Sequence, residues 1–274
     1  MIVFEWTLQY SPSPFGLIAV IILKNDAEIE KMRHTGKLVA AAHREVALNI
    51  RPGVSLSELH AIVVELYRHH AAESVFRLRQ PHGETRLVPC LLSLNSRLGT
   101  PVDDAATLTE GDILTLDTGC RLDGWCAEAA WSYPVGRISC EKQTLLDALQ
   151  FTRELLDGLL SRRQSWREIA LALQHHVRSS GLRLIDDVIG HGIGQELHED
   201  PQLAWNLGET SLVEFPVMRP GMVLAVEWGL TTGKGALRRL ENGGWETYDR
   251  SPCVHGEMTV ACTAAGIKVL TDAA

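Results

Sequence analysis

"EGDILTLDTG", residues Glu110 to Gly119, returns later in the chain as "PGMVLAVEWG", residues Pro220 to Gly229. Both read as a turn followed by a strand. Gly111 and Gly221, Leu114 and Leu224, Asp117 and Glu227, and Gly119 and Gly229 each stand 110 residues apart. The same offset separates two helix starts. Ser55 with Glu58 and Ser165 with Glu168 form capping boxes, in which hydroxyl and carboxylate satisfy the first free amides of a helix. A capping box and a strand motif sharing one offset imply two copies of a helix, helix, strand unit. Such a repeat brings strands from both halves into one sheet and sets Asp117 opposite Glu227 at a pseudo-symmetry axis.

The flanking segments fit this reading. "DAEIEKMRHTGKLVAAAHREVAL" places Ile29, Met32, Leu38, Val39 and Val46 at mixed three and four spacing, which predicts an amphipathic helix. The organisation expected is an N-terminal extension over residues 1–23 and a single α+β domain over 24–274, with halves of about 24–136 and 137–274. "FGLIAVIIL", Phe15 to Leu23, is the longest apolar run. It is too short to cross a bilayer and lacks the flanks of a secretory signal, so it reads as a buried strand.

Composition narrows the function classes. With 274 residues and 45% apolar content the chain can bury a substantial core. Acidic residues outnumber basic ones by 34 to 26 and no basic run exceeds a pair, which speaks against a nucleic-acid groove. The six cysteines show no C-x-x-C spacing, so neither a zinc cage nor a disulfide framework is indicated. Reduced thiols fit a cytoplasmic protein without a membrane segment.

Acids in apolar strands carry the chemistry. Asp117 and Glu128 flank the turn "RLDG", which predicts a hairpin with the two acids on neighbouring strands. Glu227 lies in "LAVEWG", Glu257 in "VHGEMTVAC", and His191 opens "HGIGQELHED", where Gly192 and Gly194 argue for a loop that folds back. Lone charges in such strands are costly to bury. Together, four acids and one imidazole suit two divalent ions of the Mn, Fe, Co or Zn kind, with carboxylates bridging them. Such a pair lowers the pKa of a bridging water and yields a hydroxide nucleophile near neutral pH.

The order Asp117, Glu128, His191, Glu227, Glu257, with "EIEKMRHTGKLVAAAH", "HGIGQELHEDP" and "RPGMVLAVE", resembles a type I methionine aminopeptidase of the pita-bread metallopeptidase group, from about Ile22 to Leu270. The resemblance implies a pita-bread fold, an antiparallel sheet flanked by helices with pseudo-two-fold symmetry. It implies that Asp117, Glu128, His191, Glu227 and Glu257 hold two metals, with Glu128 and Glu257 bridging and Glu227 also accepting a proton. His198 would sit beside the substrate carbonyl and steady the tetrahedral intermediate.

Three positions depart from that family. Glu128 stands where the family normally has Asp, which moves the bridging carboxylate by roughly a bond length. The family's H-G-[IL]-P stretch, whose histidine contacts the scissile amide, is replaced by "LNSRLGTPVDD", with Gly99 or Thr100 in the place of that histidine. A lost contact of this type commonly costs about 10²- to 10⁴-fold in rate. His255, two residues before Glu257 and on the same strand face, is one substitute for it, and His82 is another. The family's methionine pocket uses aromatics where "LRQPHGETRLVPC" has Pro81 and Glu84; Leu197 replaces a further aromatic, while Trp245 keeps its place. The pocket reads as wider and more polar than a thioether needs.

The leading expectation is therefore a dinuclear metal-dependent aminopeptidase-like hydrolase. Its substrate would be a peptide, or a small amide bearing a free amine, with a specificity other than methionine. Two alternatives stand beside it: a catalytically idle binding protein on the same fold, and a metal enzyme acting on another carbon to nitrogen bond.

Overall fold

The computed structural model describes residues 20–79, 85–162, 165–206 and 217–272. Four helices cover one face of a ten-stranded sheet. They are α1 (Asp26–Ala47), α2 (Leu56–His69), α3 (Cys140–Ser161) and α4 (Trp166–Ser179). The sheet strands of the first half are β1 (Glu73–Ser74), β2 (Cys90–Leu94), β3 (Ile113–Leu122) and β4 (Trp125–Pro134). The second half supplies β5 (Arg183–Leu184), β6 (Gly190–Gly192), β7 (Glu199–Leu203), β8 (Val223–Thr231), β9 (Cys253–Thr263) and β10 (Gly266–Val269). Their order is β1-β3-β4-β9-β8-β6-β7, with β2 also on β3, β5 on β8 and β10 on β9. All the pairings are antiparallel. This is the α+β pita-bread architecture.

The repeat extends further than its two motifs. Helices α2 and α4 are both 14 residues long and both open on a complete capping box, at Ser55 with Glu58 and at Ser165 with Glu168. The isolated bridges Ser55 to Thr107 and Ser165 to Val217 keep the 110-residue offset, as do β1 on β3 and β5 on β8. Gly111 and Gly221, at φ 95° and 94°, turn the chain into β3 and β8 through a conformation that side chains rarely tolerate. Each half also has its own core. Leu38, Val46, Leu59 and Val63 pack under α1 and α2 on the strands of the first half; Leu149, Leu156, Trp166 and Leu173 pack under α3 and α4 on those of the second.

The apolar run at the N-terminus is not a buried strand where it is described. Val20, Ile22 and Leu23 are exposed, and no strand is formed over 20–24. Lys24 instead is buried against Glu199, Nζ to Oε2 2.5 Å, and anchors the chain, while Ile21 packs partly buried against the core. Residues 15–19 lie outside the described ones. None of the described helices is long and apolar enough to cross a membrane. The described cysteines are all free.

Candidate metal centre

The sheet register assembles the centre. Asp117 pairs with Ala130, Ala130 with Glu257 and Glu257 with Glu227, so these four residues form one row across β3, β4, β9 and β8. A second row, two residues along and hence on the same face, runs through Gly119 and Glu128, then Thr259, Ala225 and His191. Between β4 and β9 this row is closed by Thr259, whose Oγ1 accepts from the Glu128 amide at 3.1 Å and donates to the Glu128 carbonyl at 2.8 Å. Gly119 is small for a reason: a Cβ there would stand 2.9 Å from the Glu128 Cβ. The hairpin turn between the two acids is Asp123-Gly124, both at positive φ, as a tight two-residue loop requires.

The side chains converge. His191 Nε2 lies 3.2 Å from Glu128 Oε1 and 3.4 Å from Glu227 Oε1, and donor atoms of Glu128, His191 and Glu257 lie within 4.8 Å of one another. Asp117, Glu128, His191, Glu227 and Glu257 are all buried. Both carboxylate oxygens of each acid, and Nε2 of His191, lack any hydrogen-bond partner in good geometry. Burying so many acceptors without donors is strongly unfavourable unless a cation sits among them. The donor set, oxygen-rich with an imidazole, fits divalent metal ions.

The electrostatics carry the same message. Burial, then the charges of Glu128 and Glu227, push the Asp117 carboxyl well above its ordinary range, and Glu257 is raised by burial and the same two neighbours. Glu128 is raised as well, chiefly by burial. Burial acts upward on Glu227 too, but its contacts with His191 and His255 outweigh it and the carboxyl is lowered. Burial acts to lower His191, yet Glu128 and Glu227 hold its pKa at about 10. Metal-free, the cluster therefore keeps protons that a divalent cation would displace.

The described residues singled out from the sequence each have a definite place. "HGIGQELHED" does fold back, since β6 and β7 pair with each other. His198 sits on this return, its ring centroid 4.3 Å from that of His191. Its pKa is lowered by burial and by His191, a shift tempered by its exposed surface. His255 is buried on β9, Nε2 3.4 Å from Glu227 Oε2. Gly99 and Trp245 line a cavity of about 40 Å³ shared with Asp117, Glu227 and His255. Thr100 does not line it: the residue is buried, its amide donating to Ser93 Oγ at 3.0 Å and its hydroxyl to the Leu98 carbonyl at 3.3 Å. Leu197 packs partly buried against Phe76, Leu78, Val88 and Leu91. His82 and Glu84, with Pro81, lie outside the described residues. Leu98, Asp187, Val188 and Leu237 complete the cavity and were not foreseen, because single residues on short strands and loops carry no periodic signal. Thr259 could have been found, standing two residues after Glu257 on the same strand face.

Residues 30–264 match the pattern of metallopeptidase family M24. The chain belongs to that family. M24 relatives include methionine aminopeptidase 1 of Bacillus subtilis, 33% identical over 92% of this chain and 99% of the relative. The methionine aminopeptidase of Escherichia coli is 31% identical over 92% and 94%. The crystal structure of methionine aminopeptidase from Thermotoga maritima superposes with a TM-score of 0.81 at 31% identity, covering 92% of this chain and all of that one. Prolidase from Pyrococcus furiosus, at 18% identity and a TM-score of 0.68 over 92% of this chain and 65% of its own, shares the fold. This M24 member is a metalloaminopeptidase-like, metal-dependent hydrolase, and divalent metal is its implied cofactor.

Proposed function

We propose that the chain is a dinuclear aminopeptidase that releases an N-terminal residue from a peptide, or hydrolyses a related small amide bearing a free amine, with a preference other than methionine. One observation carries this reading: eight buried carboxylate oxygens and the His191 nitrogen converge without hydrogen-bond donors. Two divalent ions bound there supply Lewis acidity, activating water and polarising the scissile carbonyl.

The chain's own groups do the rest. Asp117, Glu128, His191, Glu227 and Glu257 would hold the ions. Glu227, kept ionised by its two histidine neighbours, accepts the proton of the attacking water. His198 donates a hydrogen bond to the developing oxyanion. His255, beside Glu227 at the base of the cavity, serves the leaving nitrogen. A changed specificity is supported by Gly99, where the family resemblance implies a histidine: a Cβ there would make ordinary contact with Trp245, 3.8 Å from Cδ1.

The test is elemental analysis of protein purified without added metal, with a panel of peptides and aminoacyl amides. Two equivalents of a divalent ion with turnover of at least one member are expected. Metal without turnover of any amine-bearing amide points to another carbon to nitrogen bond; no metal at all leaves an idle binding protein.

A further inference from the structure

The return between β6 and β7, which carries His198, rests on a buried ion pair with the N-terminal side of the chain. Lys24, just ahead of α1, meets Glu199, the first residue of β7, with Nζ 2.5 Å from Oε2 and side chains only 2% and 7% exposed. The other oxygen of that carboxylate, Oε1, accepts from the Glu196 amide at 3.3 Å, so one buried group ties the ammonium to the backbone of the return. Gly194 makes room for the pair: a Cβ there would collide with Glu199 Oε1 and come within 2.6 Å of Lys24 Cε. His198 stands next to Glu199 in the chain, its ring centroid 4.3 Å from that of His191.

Lys24 is itself held. Its amide donates to the Gly221 carbonyl at 2.7 Å, in the turn that leads into β8 and Glu227, and its ammonium donates to the Ile22 carbonyl at 3.0 Å. Asn25 then caps α1, which is fixed to β4 by the Thr35 hydroxyl donating to the Trp125 carbonyl at 3.1 Å. The side chain therefore spans from the turn ahead of one ligand-bearing strand to the return. The Cys126 amide pins the Gly194 carbonyl at 2.7 Å, ahead of the stretch that bears His198. A second ion pair, Arg121 Nη2 to Glu196 Oε2 at 3.1 Å, also touches the return, but its carboxylate side chain is 70% exposed and water screens it. The buried pair is the stronger constraint, because a carboxylate left there without its cation must either stay buried and uncompensated or swing out and take the return with it.

We propose that Lys24 is a positioning residue for His198: its ammonium fixes the Glu199 carboxylate, and through it the backbone that presents the imidazole beside the metal centre. A misplacement of about 1 Å at a catalytic group can cost about 10²-fold in rate, so an anchor of this kind acts on turnover and not on metal binding. The effect on turnover rests on the role proposed for His198; the placement of the ring does not.

Placement is read by NMR on the zinc-loaded full chain, from the ring proton resonances of His198, identified by their loss in His198→Ala. Lys24→Met should shift or broaden them, while the signals of His43, near the far end of α1, stay in place and the bound zinc equals the parent's. Glu199→Gln removes the pair from its other side and should move the His198 signals likewise, which keeps the test open where Lys24→Met folds poorly. Glu196→Gln, which removes only the exposed pair, should leave them in place. Turnover of the best peptide separates positioning from general support of the fold. Lys24→Met should lower kcat about tenfold or more with KM changed by less than about twofold, and in a His198→Ala background it should lower kcat by less than about twofold. Unmoved His198 signals in both Lys24→Met and Glu199→Gln, a shift that includes His43, loss of zinc, or equal losses of kcat in the two backgrounds would each overturn the proposal. Moved His198 signals with no peptide turned over even by the parent would uphold the placement and count against the proposed activity instead.

Discussion

Glu128 and His255 occupy equivalent positions in the two halves: Glu128 is the cross-strand partner of Gly119, and His255 of Gly229. Two residues before each glycine stands the strand acid, Asp117 in β3 and Glu227 in β8. The pseudo-two-fold axis thus relates a carboxylate to an imidazole, and both reach the same buried face. His255 Nε2 has no partner in hydrogen-bond geometry, and its nearest ionic contact is Glu227. Under the proposed mechanism it exchanges a proton and is not one of the five ligands. His255→Ala should keep its metal content while turnover of the best substrate falls by about 10²-fold or more. Full activity in that variant would remove His255 from the mechanism.

The ligand set is tested by removal. Glu227→Ala and His191→Ala should each bind less metal and lose most of the thermal stabilisation that added metal gives the parent protein. A ligand present at about 100 times its Kd stabilises the native state by about 2.7 kcal/mol. Unchanged metal content in both variants would rule out the assignment.

Much of this centre was legible in the sequence because strand periodicity is 2 and a hairpin fixes register. Asp117, Glu128, Glu227 and Glu257 could be placed on strands, and the 110-residue offset put Asp117 and Glu227 in corresponding places. The direct pairing of Glu227 with Glu257, and Ala130 standing between Glu257 and Asp117, depend on how β4 meets β9. That is a long-range contact with no local signal. Residues 20–23 show the opposite failure: an apolar run suggested burial, but only tertiary packing decides whether such a run is covered, and here Val20, Ile22 and Leu23 are not.

Burial pushes the His43 pKa down to about 4, against an ordinary value of 6.5. The unfolded chain therefore takes up a proton on this group more readily than the folded protein does. The stability this provides is complete above about pH 6.5 and is lost as pH falls toward 4, by up to roughly 3 kcal/mol. His43→Gln should flatten the stability curve between those limits, measured as the urea midpoint at pH 7 and pH 4.5. An identical fall in both proteins would assign acid sensitivity to other groups.

The proposed specificity is tested at the cavity that Asp117 and Glu227 share with Gly99, Val188 and Trp245. Peptides beginning with methionine should be cleaved poorly, and those beginning with a polar or basic residue better, in a panel differing only at that position. A strong preference for methionine would show that the cavity beside Trp245 does not set selection.

Under the proposed reading, Gly99 is a position at which the amide contact implied by the family resemblance can be restored. Its φ of 53° lies in the left-handed region, which histidine enters more readily than most side chains, and its Cβ direction meets nothing closer than Trp245 Cδ1 at 3.8 Å. Thr100 is the poorer choice, because its side chain is already committed to packing against Gly244, where a Cβ would stand 2.8 Å from the Thr100 hydroxyl oxygen. Gly99→His should therefore raise turnover of a methionine peptide by about tenfold, while Thr100→His should destabilise the fold without that gain. The cost to stability of placing a side chain at this φ is on the order of 1–2 kcal/mol, to be read from the urea midpoint of the same preparation. If Gly99→His instead lowers turnover of every peptide in the panel, the opening is part of how the native substrate sits, and the new imidazole obstructs it.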